Sequence, residues 1–265
     1  MIIFIFNALY NYKLMQDLEH ENYMLKSILK TSPSSESFSF DEYRKVSPAY
    51  YNDLKQQLLE KYQNNRDHRK ILVIDGHTAF TGGINIADEY INVVERFGHW
   101  KDTAVMLKGE AVKSFTVMFL QMWNVDEKQT EVYKYLNYPT GARKNAKGYV
   151  IPYADCPLDD DKLGEHVYMD MLNRSHKYVH IMTPYLILDG ELETAIKFAA
   201  ERGVDVSLIL PGIPDKKSAY VLAKTHYKSL IESGVNIYEY EPGFVHAKVC
   251  VSDDESAVVG TINLD

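Results

Sequence analysis

Residues 177–210 read KYVHIMTPYLILDGELETAIKFAAERGVDVSLIL, and this stretch decides the fold class. It starts with a β-rich run and ends with the β-rich run VDVSLIL. Between them, apolar residues recur at helical spacing, Asp189 is a favoured N-cap residue, and Gly203 stands where helices commonly end. A strand, a helix and a second strand in this order predict an α/β fold with a mixed, mostly parallel sheet.

The same alternation continues toward the end of the chain. The pattern predicts a helix over residues 218–232, with Gly234 as its stop, and then a strand, VNIYEY, over residues 235–240. The tail HAKVCVSDDESAVVG (246–260) predicts two further short strands around an acidic turn.

The middle of the chain shows a related pattern. HRKILVID (68–75) predicts a strand, Asp75 and Gly76 form a turn signal, and AFTGGIN (79–85) begins a second strand. GEAVKSFTVMFLQMWN (109–124) predicts a helix that is apolar on most faces and therefore buried.

The best linker candidate is the polar, glycine-containing stretch at residues 125–148. It places a domain boundary near position 150, which predicts a first domain over residues 1–150 and a second over residues 151–265.

Composition excludes several classes of protein. The 265 residues are 46% hydrophobic and carry 29 basic and 37 acidic side chains, a net charge of −8. These values argue against intrinsic disorder and against a nucleic-acid coat. Two cysteines, Cys156 and Cys250, cannot form a disulfide scaffold for a chain of this length and are predicted to be reduced core thiols. The apolar runs at residues 1–12 and 114–125 are shorter than the roughly 20 residues that cross a bilayer, so no membrane span is expected.

An internal repeat carries the chemistry. HRKILVIDGHTAFTGGIN (68–85) and HAKVCVSDDESAVVGTIN (246–263) align without a gap. Five polar or glycine positions agree between the copies: His68 with His246, Lys70 with Lys248, Asp75 with Asp253, Gly82 with Gly260, and Asn85 with Asn263. Packing alone does not explain why such positions agree, so we infer a shared chemical role.

The spacing inside each copy predicts a phosphodiester site. Side chains two apart on a strand share a face, so His68 projects with Lys70, and His246 projects with Lys248. If the two halves pack about a pseudo-twofold axis, one cleft receives both pairs. Lysine and asparagine side chains suit phosphate oxygens. One imidazole can attack phosphorus while the other moves protons.

The remaining histidines do not predict a metal site. None of the nine forms a pattern with ligand spacing, so we expect no metal and no cofactor. Asp75 and Asp253 fall at strand ends, where a turn-forming role and a catalytic role are both open. We treat them as structural supports of the motif.

At these residues the chain resembles the phospholipase D superfamily, whose signature HxKxxxxD occurs twice. Within it, the chain is similar to bacterial cardiolipin synthases, over roughly residues 64–265 without the linker. The resemblance implies two pseudo-twofold-related α/β halves, with mixed, mostly parallel sheets, packed around one shared cleft. Residues 1–63 match poorly, which predicts a divergent or incomplete first half. Family members usually begin with membrane helices and continue past the second Asn, so we expect this chain to be truncated at both ends.

The resemblance also implies an activity. A phosphatidyl group passes from one phosphatidylglycerol to another through a phosphohistidine, which gives cardiolipin and glycerol. The catalytic set is then His68, Lys70, Asp75, His246, Lys248 and Asp253, with Asn85 and Asn263 as substrate-binding residues. By similarity His68 is the nucleophile and His246 the general acid and then base. Asp102 is the candidate for orienting His68, and Tyr185 is a candidate for the cleft wall.

The implied setting is the cytoplasmic face of a bacterial cell membrane, with membrane phosphatidylglycerol as partner and no nucleic acid. The oligomeric state stays open. Two other interpretations remain: a phospholipase D-type phosphodiesterase, acting as a lipid hydrolase or nuclease, and an inactive fragment of the family.

Overall fold

The computed structural model describes residues 67–124, 132–138, 147–155 and 162–264. The strand and helix expected near the N-terminus, most of the predicted linker, and Cys156 lie outside these residues. Contacts between residues divide the chain into Met1–Asp67 and His68–Asp265, and the strands and helices of the described residues belong to the second unit. The domain boundary near residue 150 stays a prediction.

The first part of this unit is a small antiparallel sheet backed by a helix. Its strands are β1 (Ile71–Ile74), β2 (Thr78–Gly82) and, after a 3₁₀ turn at Asp88–Ile91 and the short strand β3 (His99–Lys101), β4 (Ala104–Lys108). The sheet order is β1-β2-β4.

Helix α1 (Ala111–Trp123) packs on this sheet as predicted, but it is less buried than its apolar sequence predicts. Its buried residues are Val112, Phe115, Thr116 and Leu120, while Trp123 is 46% exposed. A core of this size covers only one face of the helix.

A larger mixed sheet with helices forms the rest of the unit. Its elements in chain order are α2 (Val132–Leu136), α3 (Leu163–Arg174), β5 (Tyr178–Met182), α4 (Gly190–Glu201), β6 (Asp205–Pro211), α5 (Lys217–Glu232), β7 (Asn236–Tyr240), β8 (Gly243–Val245), β9 (Val249–Ser252) and β10 (Ser256–Val259). The sheet order is β10-β9-β5-β6-β7. Helix α2 falls inside the stretch that composition had marked as a linker.

The fold is α/β with mixed sheets. Strands β5, β6 and β7 run parallel, as the strand-helix-strand pattern predicts. Strands β9 and β10 pair antiparallel with each other, and β9 pairs antiparallel with β5. Parallel strand pairs therefore make up a smaller part of the large sheet than predicted. The turn between β9 and β10 is short, and a short turn can only join antiparallel strands. The pseudo-twofold relation of two halves stays a prediction.

Local sequence explains where the helices begin and end. The Asp189 carboxylate accepts a hydrogen bond from the Leu192 backbone N–H at 2.9 Å, which caps α4. Gly203 and Gly234 follow α4 and α5 with φ of +90° and +94°, a conformation that glycine adopts without strain. Apolar residues from the helices and from one face of the β5–β6 pair form the main core, including Ile181, Ile196, Leu208 and Leu230.

This topology gathers several strand ends at one edge of the large sheet. Met182, the last residue of β5, pairs with Val249, the first residue of β9. The carboxyl ends of β5 and β6 and the amino end of β9 therefore lie together. Strand β8 leads into β9 at this edge and pairs in parallel with β3. Among the helices in the described part of the chain, none combines the length and apolar character that a bilayer crossing requires.

Candidate active site

Each motif copy leads into a β-hairpin. His68 and Lys70 precede β1, which pairs with β2, and His246 and Lys248 precede β9, which pairs with β10. The turns also agree: Asp75 and Asp253 have φ of +52° and +57°. The two sequence copies thus form the same local structure, and each presents its histidine and lysine just before its first strand.

The structure brings the two histidine-lysine pairs together. The positive charges of Lys248 and His246, from the second copy, act on the His68 imidazole together with that of Lys70. His68 also forms a hydrogen bond with the backbone of Thr261, at the end of the second copy. One cluster therefore holds both imidazoles and both ammonium groups.

The lysines are held in matching ways. The Lys70 Nζ donates to the carbonyl oxygen of His68 at 2.6 Å, and the Lys248 Nζ donates to the carbonyl oxygen of His246. Lys248 is only 1% exposed. An ammonium group buried to this degree needs an anion or several acceptors to offset its desolvation, so this position is suited to a phosphate oxygen.

The electrostatics of His68 favour its neutral form. Desolvation, and then repulsion from Lys70, Lys248 and His246, lowers its pKa to about 4, although part of the side chain remains exposed. The hydrogen bond with Thr261 acts weakly in the opposite direction. At neutral pH the ring therefore keeps a lone pair that can attack phosphorus.

Asp102 lies against His246, not against His68 as the sequence analysis predicts. Its Oδ2 is 2.9 Å from the His246 Nδ1. The parallel register explains this: Lys101 of β3 pairs with Val245 of β8, so the residues that follow them, Asp102 and His246, face each other. The His246 backbone N–H also donates to the Lys101 carbonyl at 2.8 Å.

The Asp102 carboxylate is fixed before any ligand arrives. Its side chain is 2% exposed, and its Oδ1 accepts the Thr103 backbone N–H at 2.8 Å. A carboxylate on Nδ1 favours the tautomer with the proton there, which leaves Nε2 of His246 for proton transfer. Burial lowers the pKa of His246, and the hydrogen bond that Asp102 accepts from its ring counters that effect.

Aromatic rings enclose His246. Its ring centroid lies 5.2 Å from that of Tyr90, 5.4 Å from Trp100 and 5.9 Å from Phe244. These three residues were not among the predicted site residues. In the sequence, Trp100 lies two residues from Asp102, Phe244 lies two residues from His246, and Tyr90 lies between the first motif copy and β3. Many aromatic residues with a purely structural role occupy such positions, so the sequence gives no specific signal for these three.

Gly83 allows Asp102 and His246 to approach each other. A Cβ built on Gly83 would lie 2.1 Å from the Asp102 Oδ1 and 2.8 Å from the His246 carbonyl oxygen. We therefore expect Gly83→Ala to displace the carboxylate and to reduce turnover by about tenfold or more, since small displacements of catalytic groups are costly. The initial rate of the variant checks this expectation, and a thermal melt shows whether the variant is folded.

Gly190→Ala is the matched control for that variant. A Cβ on Gly190 meets nothing within 4 Å. Equal turnover in the Gly83 and Gly190 variants would contradict the close-approach argument.

The other predicted residues fall into different surroundings. The Asn85 Nδ2 donates to the Tyr90 hydroxyl at 2.5 Å, and the Asn263 Oδ1 is buried without a hydrogen-bond partner among the described residues. The Asp253 carboxylate accepts backbone N–H groups from residues 176–178, which lowers its pKa. Asp75 and Asp253 lie at the strand ends opposite the histidines, an arrangement that favours support of the hairpins.

One acidic group could hold a metal ion. The carboxylates of Glu165, Asp189 and Glu191 lie close together, although the Lys162 Nζ already lies 3.2 Å from Glu165 and 3.5 Å from Asp189. None of these residues belongs to the motif. The histidine-lysine cluster lies elsewhere, and its charged groups are of the type that suits a phosphate.

Comparisons with known proteins identify a family of similar domains. Residues 168–265 match the family described as "Cardiolipin synthase, PLD-like domain". The chain is 38% identical over 202 residues to cardiolipin synthase 2 of Bacillus cereus, which covers 76% of this chain and 39% of that protein. Residues 168–265 thus form a phospholipase D-like domain of the kind found in cardiolipin synthases.

Further relatives extend the comparison. An uncharacterized protein of Streptococcus mutans serotype c is 64% identical over 204 residues, covering 77% of this chain and 44% of that protein. The structure of phosphatidylserine synthase from Haemophilus influenzae matches 79% of this chain and 60% of that chain, with 17% identity and a TM-score of 0.46. The chain spans less than half the length of the Bacillus cereus and Streptococcus mutans proteins.

The match to a phospholipase D-like domain agrees with the sequence motif. The motif predicted a histidine and a lysine from each copy, and the structure places all four in one cluster with Asp102 on the second histidine. The catalytic roles of these residues remain predictions.

Proposed function

We propose that this chain transfers a phosphatidyl group from one phosphatidylglycerol to a second, giving cardiolipin and glycerol. The observation that supports this most is the contrast between its two histidines. His68 is held neutral beside two lysines, and His246 is hydrogen-bonded to a buried aspartate. A nucleophile and a proton-transfer group need these two environments.

In the first step, a ring nitrogen of His68 attacks phosphorus. The phosphorus–oxygen bond to the glycerol headgroup breaks, and His246 gives its proton to the departing oxygen. Lys70 and Lys248 stabilise the added charge on the phosphate oxygens. The incoming anion also raises the pKa of His246, which favours the protonated form that this step requires.

In the second step, His246 acts as base. It takes the proton from a hydroxyl group of the second phosphatidylglycerol, whose oxygen attacks phosphorus and breaks the phosphorus–nitrogen bond. The products are cardiolipin and free His68. Atoms and charges balance without a cofactor. We place the reaction at the cytoplasmic face of a bacterial cell membrane, since the substrate is a bilayer lipid.

A product assay on the full chain tests this proposal. The purified protein is incubated with phosphatidylglycerol vesicles, and lipids and free glycerol are followed by mass spectrometry. We expect cardiolipin and glycerol in equal amounts and no effect of added EDTA. His68→Gln is expected to form neither product. His176→Gln is its matched control, because the His176 side chain is exposed and outside the motif.

The other outcomes separate the remaining interpretations. Phosphatidic acid as the main product would indicate a phospholipase D-type hydrolase that uses the same residues with water. Cleavage of nucleic acid would indicate a nuclease, which the net charge of −8 disfavours. A folded protein that forms no product would contradict the proposed function and indicate an inactive fragment.

A further inference from the structure

A hydrogen-bonded pair of side chains stands beside the histidine-lysine cluster. Tyr185 follows the end of β5 and Asp215 follows the end of β6, and the Tyr185 hydroxyl donates to the Asp215 Oδ2 at 2.7 Å. Because β9 begins opposite the end of β5, this pair lies at the sheet edge where His246 and Lys248 enter. Ligands of open α/β sheets bind outside the carboxyl ends of parallel strands.

A second contact places Asp215 near the proposed chemistry. The Ile213 backbone N–H donates to the Gly243 carbonyl at 3.2 Å, so the segment that carries Asp215 runs beside β8, which ends just before His246. Burial raises the pKa of Tyr90, and the charges of Asp102 and Asp215 add to this rise. Asp215 therefore acts on the same phenol that contacts the His246 ring.

Asp215 has one carboxylate oxygen engaged and one oxygen without a partner. Its Oδ1 is buried and finds no hydrogen-bond donor within the described ranges of the chain. Tyr185 and Asp215 line a small cavity whose other walls are mostly proline, leucine and tyrosine side chains. A buried acceptor left unsatisfied costs about 1–3 kcal/mol, so a ligand that donates a hydrogen bond is favoured here.

The charges around the cavity narrow the chemistry of this ligand. The carboxylate disfavours an anion such as phosphate. The Lys216 Nζ lies 5.1 Å from the centre of the Tyr185 ring and supplies a positive charge at the same wall, which disfavours an amine. A neutral hydroxyl group satisfies Asp215 without adding charge.

We propose that the Tyr185–Asp215 pair is the subsite for the acceptor alcohol, where the Asp215 Oδ1 accepts a hydrogen bond from a hydroxyl group of a polyol such as the glycerol headgroup. Tyr185 holds the carboxylate in position through its own hydroxyl. The inference rests on the proposed function and deepens it, because it names the chemistry by which an acceptor is chosen over water and simple alcohols.

Competition between acceptors tests this subsite. The full chain is given phosphatidylglycerol vesicles with deuterated glycerol, ethanol and ethanolamine in equal amounts, and the transfer products are quantified. The ratio of glycerol to ethanol products does not depend on the overall rate. We expect Asp215→Asn to lower this ratio about tenfold or more, the loss of one hydrogen bond to a charged acceptor. Tyr185→Phe is expected to lower it by a smaller factor.

Asp205→Asn is the matched control, since Asp205 is a solvent-exposed carboxylate at the opposite end of β6. An unchanged ratio in this control and a lowered ratio in the Asp215 variant support the subsite. If Asp215→Asn does not fold, the Tyr185→Phe ratio decides. A ratio unchanged in the folded variants overturns the proposal, and so does a wild-type preference for ethanolamine. A wild-type protein without any transfer product instead refutes the proposed function itself.

Discussion

His68→Gln is expected to lower phosphatidyl transfer by about four orders of magnitude or more, because the amide cannot form the covalent intermediate. Glutamine preserves polarity and approximate length, so the exposed site loses little packing. The expected signature is the loss of a trapped phosphohistidine. We expect wild-type protein, quenched during turnover, to yield a phosphorylated peptide that contains His68.

A lipid with a good leaving group separates the two histidines. With the p-nitrophenyl ester of phosphatidic acid, departure of the leaving group needs no proton. His246→Gln should then release about one equivalent of p-nitrophenol in a burst and retain the phosphatidyl group on His68, while His68→Gln shows no burst. Phosphate mapped to His246 would reverse the assignment of nucleophile and acid.

The burst also has a predicted pH dependence. Since the pKa of His68 is lowered to about 4, its ring stays neutral and nucleophilic as the pH falls from 7 toward 5. The burst rate should remain level over that interval and decrease only as the pH approaches the lowered pKa. A decrease centred near 6.5, the ordinary value for histidine, would contradict the proposed environment of His68.

Asp102→Asn is expected to lower steady-state turnover by about 10³–10⁴-fold, as for loss of the orienting carboxylate in a catalytic triad. The asparagine amide can donate to the His246 Nδ1, which then carries no proton. Nε2 becomes protonated and can no longer take the proton of the acceptor alcohol. The His68 burst with the p-nitrophenyl lipid should persist, because that step needs no proton transfer.

Two readouts distinguish this positioning role from simple unfolding. Nitrogen-15 NMR of labelled histidine should report the change of His246 tautomer, and the thermal melt should show a folded protein. Asp170→Asn is the matched control, since Asp170 is exposed and pairs only with Arg174 among the contacts described. Loss of the burst together with turnover, in a folded Asp102 variant, would refute a role confined to His246.

Much of the fold follows from local patterns. The strands and helices over residues 178–259 lie close to their predicted positions, because capping residues, glycines and apolar periodicity act over a few neighbours. The turn conformations of Asp75 and Asp253 also follow from the residues themselves. Strands β3 and β8 were not predicted, because a strand of three residues is too short to show an alternation of apolar and polar residues.

The pairing inside the site did not follow from local patterns. The resemblance makes Asp102 the candidate for orienting His68, whereas the structure places it on His246, 144 positions away. The decision is made by the parallel register of β3 with β8. Such a register depends on how two sheets pack, and it leaves no trace in the spacing of either segment.

The sequence alone determined which chemical groups the candidate site contains. Two copies of a histidine and a lysine, two residues apart, predict a phosphate site because strand geometry projects both side chains to one face. Only the tertiary structure decided what each group can do. It buried Lys248, surrounded His68 with positive charge, and set Asp102 against His246. The pKa and tautomer of a side chain depend on neighbours brought close by folding, and those neighbours are distant in the sequence.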